Sequence, residues 1–383
     1  MVSQHIKTMK VGIVTFLRSC NYGAILQCYA LNKTLTELGG ESICVDYWPE
    51  YFRKRYYADK VPFQGFKKDK FDEWKRKRGL KKIKDVRNKK FEKFISKNIT
   101  TTPFTAHTAD EITKNDIGIR KWITGSDQVW NNKCAFFDPV FFLDIPLPEG
   151  SRKYSYAASF GFKEIPEGMD DEYKRRLKGF ARYSVREESG AEILNTLINE
   201  EASVHCDPTL LLTREQWEKI ASSPRKDDYI LIYHVTPPDW LLKQAVKLRE
   251  KTGMKIVLLS PYFAYNAVLG TTVKKFGYEP AMTSSPEDFV SLFKNAKYVI
   301  TNSFHGTVFS LIFHKEFWSQ LKFVDGRENT RARNLLNKVG ITGRNVWSQT
   351  DLQDTPINWD KVDVVLEEIR KEGKEYLSTI LND

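Results

Sequence analysis

The sequence predicts an α/β protein of two Rossmann-like domains facing a cleft. Three observations lead there. The chain opens with a strand, a helix and a second strand, as parallel doubly wound sheets do. The same alternation restarts after residue 225. The length of 383 residues suits two domains at about 100–200 residues each.

In chain order, residues 10–16 read as a strand and Asn21-Tyr22-Gly23 as a turn. Leu26, Tyr29, Ala30 and Leu38 recur at helical spacing over residues 24–38, and Gly39-Gly40 ends that helix. Residues 42–47 are the second strand. Apolar pieces return at 121–124 and 153–158, with a strand-to-helix junction at 183–187. Residues 222–228 read as a linker. Strands follow at 229–235 and 255–259 around a helix at 240–251 that closes near Gly253. Pro286 starts a helix with Glu287 and Asp288 in its first turn, where acidic groups favour the dipole. A strand at 298–301 leads into a helix at 305–313, and an amphipathic helix begins at Trp359. The expected division is 10–213 for the N-terminal domain, 225–355 for the C-terminal domain, and a helix at 356–383 packing back on the N-terminal domain.

Charge is unevenly placed. The net charge is +11, yet residues 51–100 carry +13 and the remainder −2. Basicity therefore belongs to one insertion, where Phe52, Tyr56, Tyr57, Phe63, Phe66, Phe71, Trp74, Phe91 and Phe94 alternate with Lys and Arg. Such a segment suits an anionic membrane surface or an acidic glycan through residues 51–97, or a pair of solvated helices whose aromatics pack on the body. No nucleic-acid-binding motif accompanies it, so no nucleic acid partner is expected. No apolar run approaches the roughly 20 residues that span a bilayer, and residues 1–10 lack the core of a signal peptide. The expected location is cytoplasmic, peripheral on the inner face of the membrane if the basic segment engages lipid. Five scattered cysteines without a Cys-x-x-Cys pair argue against a disulfide framework or a structural zinc site.

In open α/β sheets, ligands sit beyond the carboxyl ends of strands, where helix N-termini offer free N–H groups. Four junctions fit. Cys20-Asn21-Tyr22-Gly23 has one glycine, too few for a dinucleotide fingerprint, and Asn21 serves equally as a helix cap. Gly125-Ser126-Asp127-Gln128 offers a carboxylate and an amide to sugar hydroxyls, with Asp127 equally suited to an N-cap. Arg186, at a strand end, suits a phosphate or carboxylate, or an internal ion pair with a neighbouring Glu. Asn302-Ser303-Phe304-His305-Gly306 joins a strand to a helix and sets an imidazole at an anion cradle. His234 and His314 read as packing residues, and the other histidines lack such a context.

Taken together, these segments resemble the polysaccharide pyruvyl transferase family. The matching pieces run Asn21-Tyr22-Gly23-Ala24, Gly125-Ser126-Asp127-Gln128-Val129-Trp130, Ser155-Tyr156-Ala157-Ala158, Ser184-Val185-Arg186-Glu187, Asp207-Pro208-Thr209-Leu210-Leu211 and Asn302-Ser303-Phe304-His305-Gly306, completed by Arg331. The resemblance implies a glycosyltransferase-B-like fold, phosphoenolpyruvate as co-substrate, a glycan or lipid-linked saccharide acceptor, a cyclic pyruvate ketal as product, and no metal or further cofactor. It implies catalytic roles for His305 and Asp127. Arg186, Asn302, Ser303, Gly306 and Arg331 would bind the donor, and Asn21, Tyr22 and Gln128 the acceptor. Some relatives carry an Arg where Ser303 stands; the missing contact then falls to Arg331 or Arg333. The rival reading is a nucleotide-sugar-dependent glycosyltransferase of the same fold, and a second rival is a glycan-binding module that retains the cleft.

Overall fold

The computed structural model describes residues 9–54, 70–236, 238–262, 277–322, 328–346 and 351–383, with the side chains of residues 70–77 outside that description. Strands β1 (Lys10–Val14), β2 (Glu41–Cys44), β3 (Lys121–Thr124), β4 (Arg152–Ser155), β5 (Phe180–Val185) and β6 (Ala202–Val204) form one parallel sheet in the order β2-β1-β3-β4-β5-β6. Strands β7 (Tyr229–Tyr233), β8 (Lys255–Leu259), β9 (Tyr278–Pro280), β10 (Tyr298–Thr301) and β11 (Glu316–Ser319) form a second, ordered β11-β10-β7-β8-β9. Two parallel sheets with helical crossovers are the two Rossmann-like halves that the sequence predicts. Strand order reverses between β1 and β3 in the first sheet and between β7 and β10 in the second. These are the switch points where such sheets open a crevice.

Burial follows the composition of each strand. All five residues of β7 (Tyr-Ile-Leu-Ile-Tyr) are buried, as expected of a parallel strand covered on both faces. Helix α1 (Tyr22–Glu37) is nearly all buried along its length because the second half of the molecule covers its outer face. Tyr22 stacks on Phe289 at 5.2 Å between ring centroids, and Tyr29 and Phe309 both pack on Trp217. One apolar cluster thus runs continuously from the first sheet to the second.

The terminal helix (Trp359–Asn382) lies against the first half. Tyr376 donates its hydroxyl to the Ser155 carbonyl, Lys121 Nζ donates to the carbonyls of Ile380 and Leu381, and Arg152 and Arg182 pair with Asp383.

The insertion divides in two. The long helix Lys70–Asn98 sends Arg87, Phe91, Phe94 and Ile95 into the core. Arg87 donates to the carbonyls of Cys20 and Pro261, and so fastens the insertion to both halves. Phe52, Phe91 and Phe94 are buried packing residues, which withdraws them from a membrane interface. Tyr56, Tyr57, Phe63 and Phe66 lie outside the described residues, as do the side chains of Phe71 and Trp74. Among the described residues no helix is long and apolar enough to cross a membrane.

Candidate functional site

The ends of β3, β5, β6 and β10 converge on one buried cluster of charge. At its centre is Asp207, fully buried in the Asp-Pro-Thr-Leu-Leu segment after β6. Its Oδ1 accepts from the backbone N–H and the hydroxyl of Thr209, at 3.0 and 2.6 Å. Its Oδ2 accepts from Arg186 Nη1 at 2.8 Å and faces His305 Nε2 at 3.5 Å. Burial alone would push this carboxyl up. The charge and hydrogen bond of His305, then Arg186 and Thr209, more than reverse that and hold it well below the usual carboxylate range.

Arg186 follows β5 and is enclosed by carboxylates. Nε lies 3.2 Å from Glu187, Nη1 2.8 Å from Asp207 and Nη2 3.6 Å from Asp127. Burial opposes its charge, but the three carboxylates outweigh burial and raise its affinity for the proton. Glu187 also accepts from Ser159 Oγ at 2.8 Å. The internal ion pair is therefore the dominant state of Arg186, and it is shared by three partners.

His305 stands in the first turn of the helix Phe304–Ile312, directly after β10. Its ring lies over Gly23, where an added Cβ would come within 2.1 Å of Nδ1. Only glycine admits the imidazole there, which explains why the Asn-Tyr-Gly turn and the His motif belong to one site. Gly306 serves the same helix from below: a Cβ would come 2.2 Å from Thr301 Oγ1, so its absence lets the helix seat on β10.

Beside this cluster opens a cleft of about 440 Å³ between the halves. Arg186, Asp207, Phe304 and Arg331 line its inner end, and His305 adjoins it through Asp207 and Phe304. Arg331, in the helix Thr330–Lys338, has its guanidinium carbon 5.8 Å from the Phe304 ring centre; that of Arg186 lies 5.1 Å from the same ring. Among the described residues no carboxylate pairs with Arg331 within ion-pair distance. Burial and the neighbouring Arg186 charge lower its affinity for the proton, whereas Glu187 and Asp127 act in the opposite sense.

Other expected site residues are committed to the fold. Asn21 caps α1, its side chain accepting from Gly23 N–H at 3.0 Å. Tyr22 is fully buried and donates its hydroxyl to the Ser284 carbonyl, so it packs the two halves together rather than meeting an acceptor. Gln128 accepts from Asn131 at 3.2 Å and does not line the cleft. Asn302 accepts from Val235 N–H and donates to Thr236 Oγ1, pinning the turn after β7. Ser303 occupies the helix N-cap without a side-chain cap bond, and its N–H donates to Thr301 Oγ1. Arg333 is held by Glu328 at 2.6 Å, which leaves Arg331 as the cleft cation of that helix. Asp127 does reach the cluster, through Arg186.

Sequence reasoning missed three residues. Asp207 and Glu187 lay inside quoted motifs but had no assigned task, because nothing in a linear motif says that both close on Arg186. His205 had no motif, yet it lines the cleft; burial, then Lys338, push its imidazole down to about 4. Among the described residues no group of three His, Cys, Asp or Glu side chains is placed to hold a metal ion.

The profile of the family described as polysaccharide pyruvyl transferase matches residues 21–319. No curated protein matches the sequence. Among solved structures, UDP-GlcNAc 2-epimerase from Neisseria meningitidis bound to UDP-GlcNAc is similar at 10% identity and a TM-score of 0.48, covering 98% of this chain and 94% of that one. MnaA of S. aureus with UDP is similar at 11% identity and 0.47, over 97% and 91%. Heptosyltransferase WaaC of E. coli with ADP is similar at 13% identity and 0.39, over 84% and 92%.

Proposed function

Because the chain belongs to the polysaccharide pyruvyl transferase family, we propose that it moves the pyruvyl group of phosphoenolpyruvate onto a hydroxyl pair of a bacterial surface glycan, closing a cyclic ketal and releasing phosphate. The observation that supports this reading is Arg331: a half-buried guanidinium without a carboxylate partner among the described residues, beside Asp207 and His305, at the end of an open cleft.

Phosphoenolpyruvate brings a phosphate and a carboxylate. Arg331 supplies the uncommitted cation, and the first-turn N–H groups of the helix Phe304–Ile312 supply further donors. Arg186, already neutralised, positions Asp207 and Asp127 instead of meeting the anion first. His305, set beside Asp207, is the proton carrier and gives a proton to the methylene carbon. One acceptor hydroxyl adds at C2, and its proton restores His305. The C–O bond to phosphate then breaks, the second hydroxyl adds at C2, and the phosphate leaves with that hydroxyl's proton. The reaction consumes no metal or further cofactor, and Asp127 orients the attacking hydroxyl. The acceptor belongs to the cytoplasmic stage of glycan assembly.

Thermal unfolding with candidate donors tests the reading. Phosphoenolpyruvate should raise Tm, since a ligand that binds only the folded state stabilises it by mass action. Acceptor-dependent phosphate release should follow. Protection by a nucleotide sugar, with none by phosphoenolpyruvate, would overturn it.

A further inference from the structure

Resting on the pyruvyl transfer reading for its donor end, we propose that the outer half of the same cleft is the saccharide subsite, with Asn334, Asn337 and the His205 imidazole reading the acceptor's hydroxyl groups. The residues first expected to hold the acceptor, Asn21, Tyr22 and Gln128, do not line this cleft. The cleft offers others.

Arg331, Asn334, Asn337 and Lys338 all line the cleft from the helix Thr330–Lys338. They recur at the three- and four-residue spacing that places side chains on one helix face. At about 1.5 Å of rise per residue, Asn334 lies roughly 4.5 Å and Asn337 roughly 9 Å along the axis from the donor-binding Arg331. That interval fits a sugar ring beside a three-carbon donor. Both amides are exposed, and neither has a side-chain partner among the described residues. Lys338 reaches Glu372 at 3.8 Å across the rim.

His205 faces them from the end of β6. Its ring stacks on Tyr376 at 4.5 Å and on Tyr156 at 6.0 Å, and its Nδ1 lies 2.8 Å from Ser184 Oγ. Ser184 Oγ also accepts from the Ala157 N–H, so the hydroxyl is itself anchored and holds the ring in place from its Nδ1 side. The imidazole stays neutral at neutral pH. The subsite therefore presents an imidazole held in place at Nδ1 and two amides that each donate and accept. That chemistry matches hydroxyl groups, which do both. The cleft volume of about 440 Å³ falls within the roughly 300–1,000 Å³ of small-molecule sites.

Saturation-transfer NMR on the full chain tests this without the donor. The probes are methyl β-galactoside and methyl β-glucoside, pyranosides with free 4- and 6-hydroxyls. The parent should receive transfer from at least one. The double variant Asn334→Ala/Asn337→Ala, exposed helix positions where alanine keeps the helix, should bind it about tenfold more weakly. A parent silent toward both glycosides, or a double variant that binds as the parent does, overturns the subsite. The same samples are heated with phosphoenolpyruvate. Glycoside transfer without protection by phosphoenolpyruvate strikes the donor reading and leaves the subsite standing; loss of that protection in the double variant alone makes the outer half part of the donor site and overturns the proposal.

Discussion

The two halves of the molecule bring opposite chemistry to the cleft. From the N-terminal sheet come three carboxylates, Asp127, Glu187 and Asp207, closed around one arginine, Arg186. From the C-terminal half come an imidazole, His305, and an arginine, Arg331, that no carboxylate pairs among the described residues. The charge of the first group's arginine is balanced within the group, and that of the second group's arginine is not balanced by any carboxylate among the described residues. An arginine in a motif is thus a poor guide to an anion site until its partners are counted. Arg186 has the more suggestive sequence position, but Arg331 has the uncommitted charge.

The contrast predicts different kinds of damage on the two sides. The largest effect belongs to His305. Its replacement by Gln should lower kcat by about 10²–10⁴, the span of a general acid or base, while Tm stays near that of the parent. Steady-state phosphate release measures the first and a thermal melt the second. Near-normal turnover would return His305 to a packing role over Gly23.

Next comes the pair of arginines. Arg186→Ala leaves three buried carboxylates without their cation, and breaking a buried pair costs about 3–5 kcal/mol of stability. Arg331→Ala removes no ion pair among the described residues, so its melt should change little. It should instead weaken phosphoenolpyruvate binding by about 1.5–3 kcal/mol, as expected for a bond to a charged group. Denaturant titration and calorimetry on both variants separate the two outcomes. The reverse pattern, a stable Arg186→Ala that loses the donor, would show that the closed ion cluster opens to receive it.

Much of this was legible in the sequence, and the boundary of legibility is physical. Period and punctuation gave the strands at 229–235, 255–259 and 298–301, because buried parallel strands are continuous apolar runs. The three-residue β6, half exposed, carries no such signal. Motif order brought His305, Asp127, Arg186 and Arg331 to notice. It could not reveal that Tyr22 and Asn302 are consumed in packing, since a polar side chain reads the same whether its partner is a substrate or the next loop. His205 was passed over because its environment is made by Ser184, Tyr156 and Tyr376, all distant in sequence.

A smaller effect sharpens the comparison through protons. Each half buries one neutral imidazole: His205 in the first and His234 in the second, both pushed down to about 4, chiefly by burial. The unfolded chain protonates them near pH 6.5, the folded chain only near 4. Between those values the unfolded state binds more protons, so stability falls as pH falls through this window. Each imidazole can account for up to about 3 kcal/mol, at about 1.36 kcal/mol per tenfold change in proton affinity. Asp207, depressed as a carboxylate, keeps its contribution until the pH drops below the usual carboxylate range. Melts at pH 7, 5.5 and 4.5 should therefore show declining Tm, and His205→Gln should flatten the decline. A parent whose Tm is constant over this range would contradict the neutral burial of both rings.

The smallest effect concerns the one feature that only the first half possesses, its basic insertion. In the described part of the helix Lys70–Asn98, the inner face is given over to Arg87, Phe91, Phe94 and Ile95, while Lys81, Lys82, Lys89, Lys93 and Lys97 are exposed. The buried aromatics leave attraction by charge as the means by which this stretch would meet an anionic surface. Each Lys or Arg near such a surface contributes about 1 kcal/mol, and screening at 0.15 M salt limits the reach to about 8 Å. The protein is therefore expected to sediment with phosphatidylserine-containing vesicles at low salt and to be released at high salt. Replacing Lys81, Lys82, Lys89 and Lys93 with Gln should weaken that binding and leave turnover of a soluble acceptor intact, because none of the four lines the cleft that ends at Arg331. If the parent ignores vesicles at low salt and the fourfold variant loses turnover, the insertion acts on the acceptor or on the seating of the two halves, and the membrane role falls.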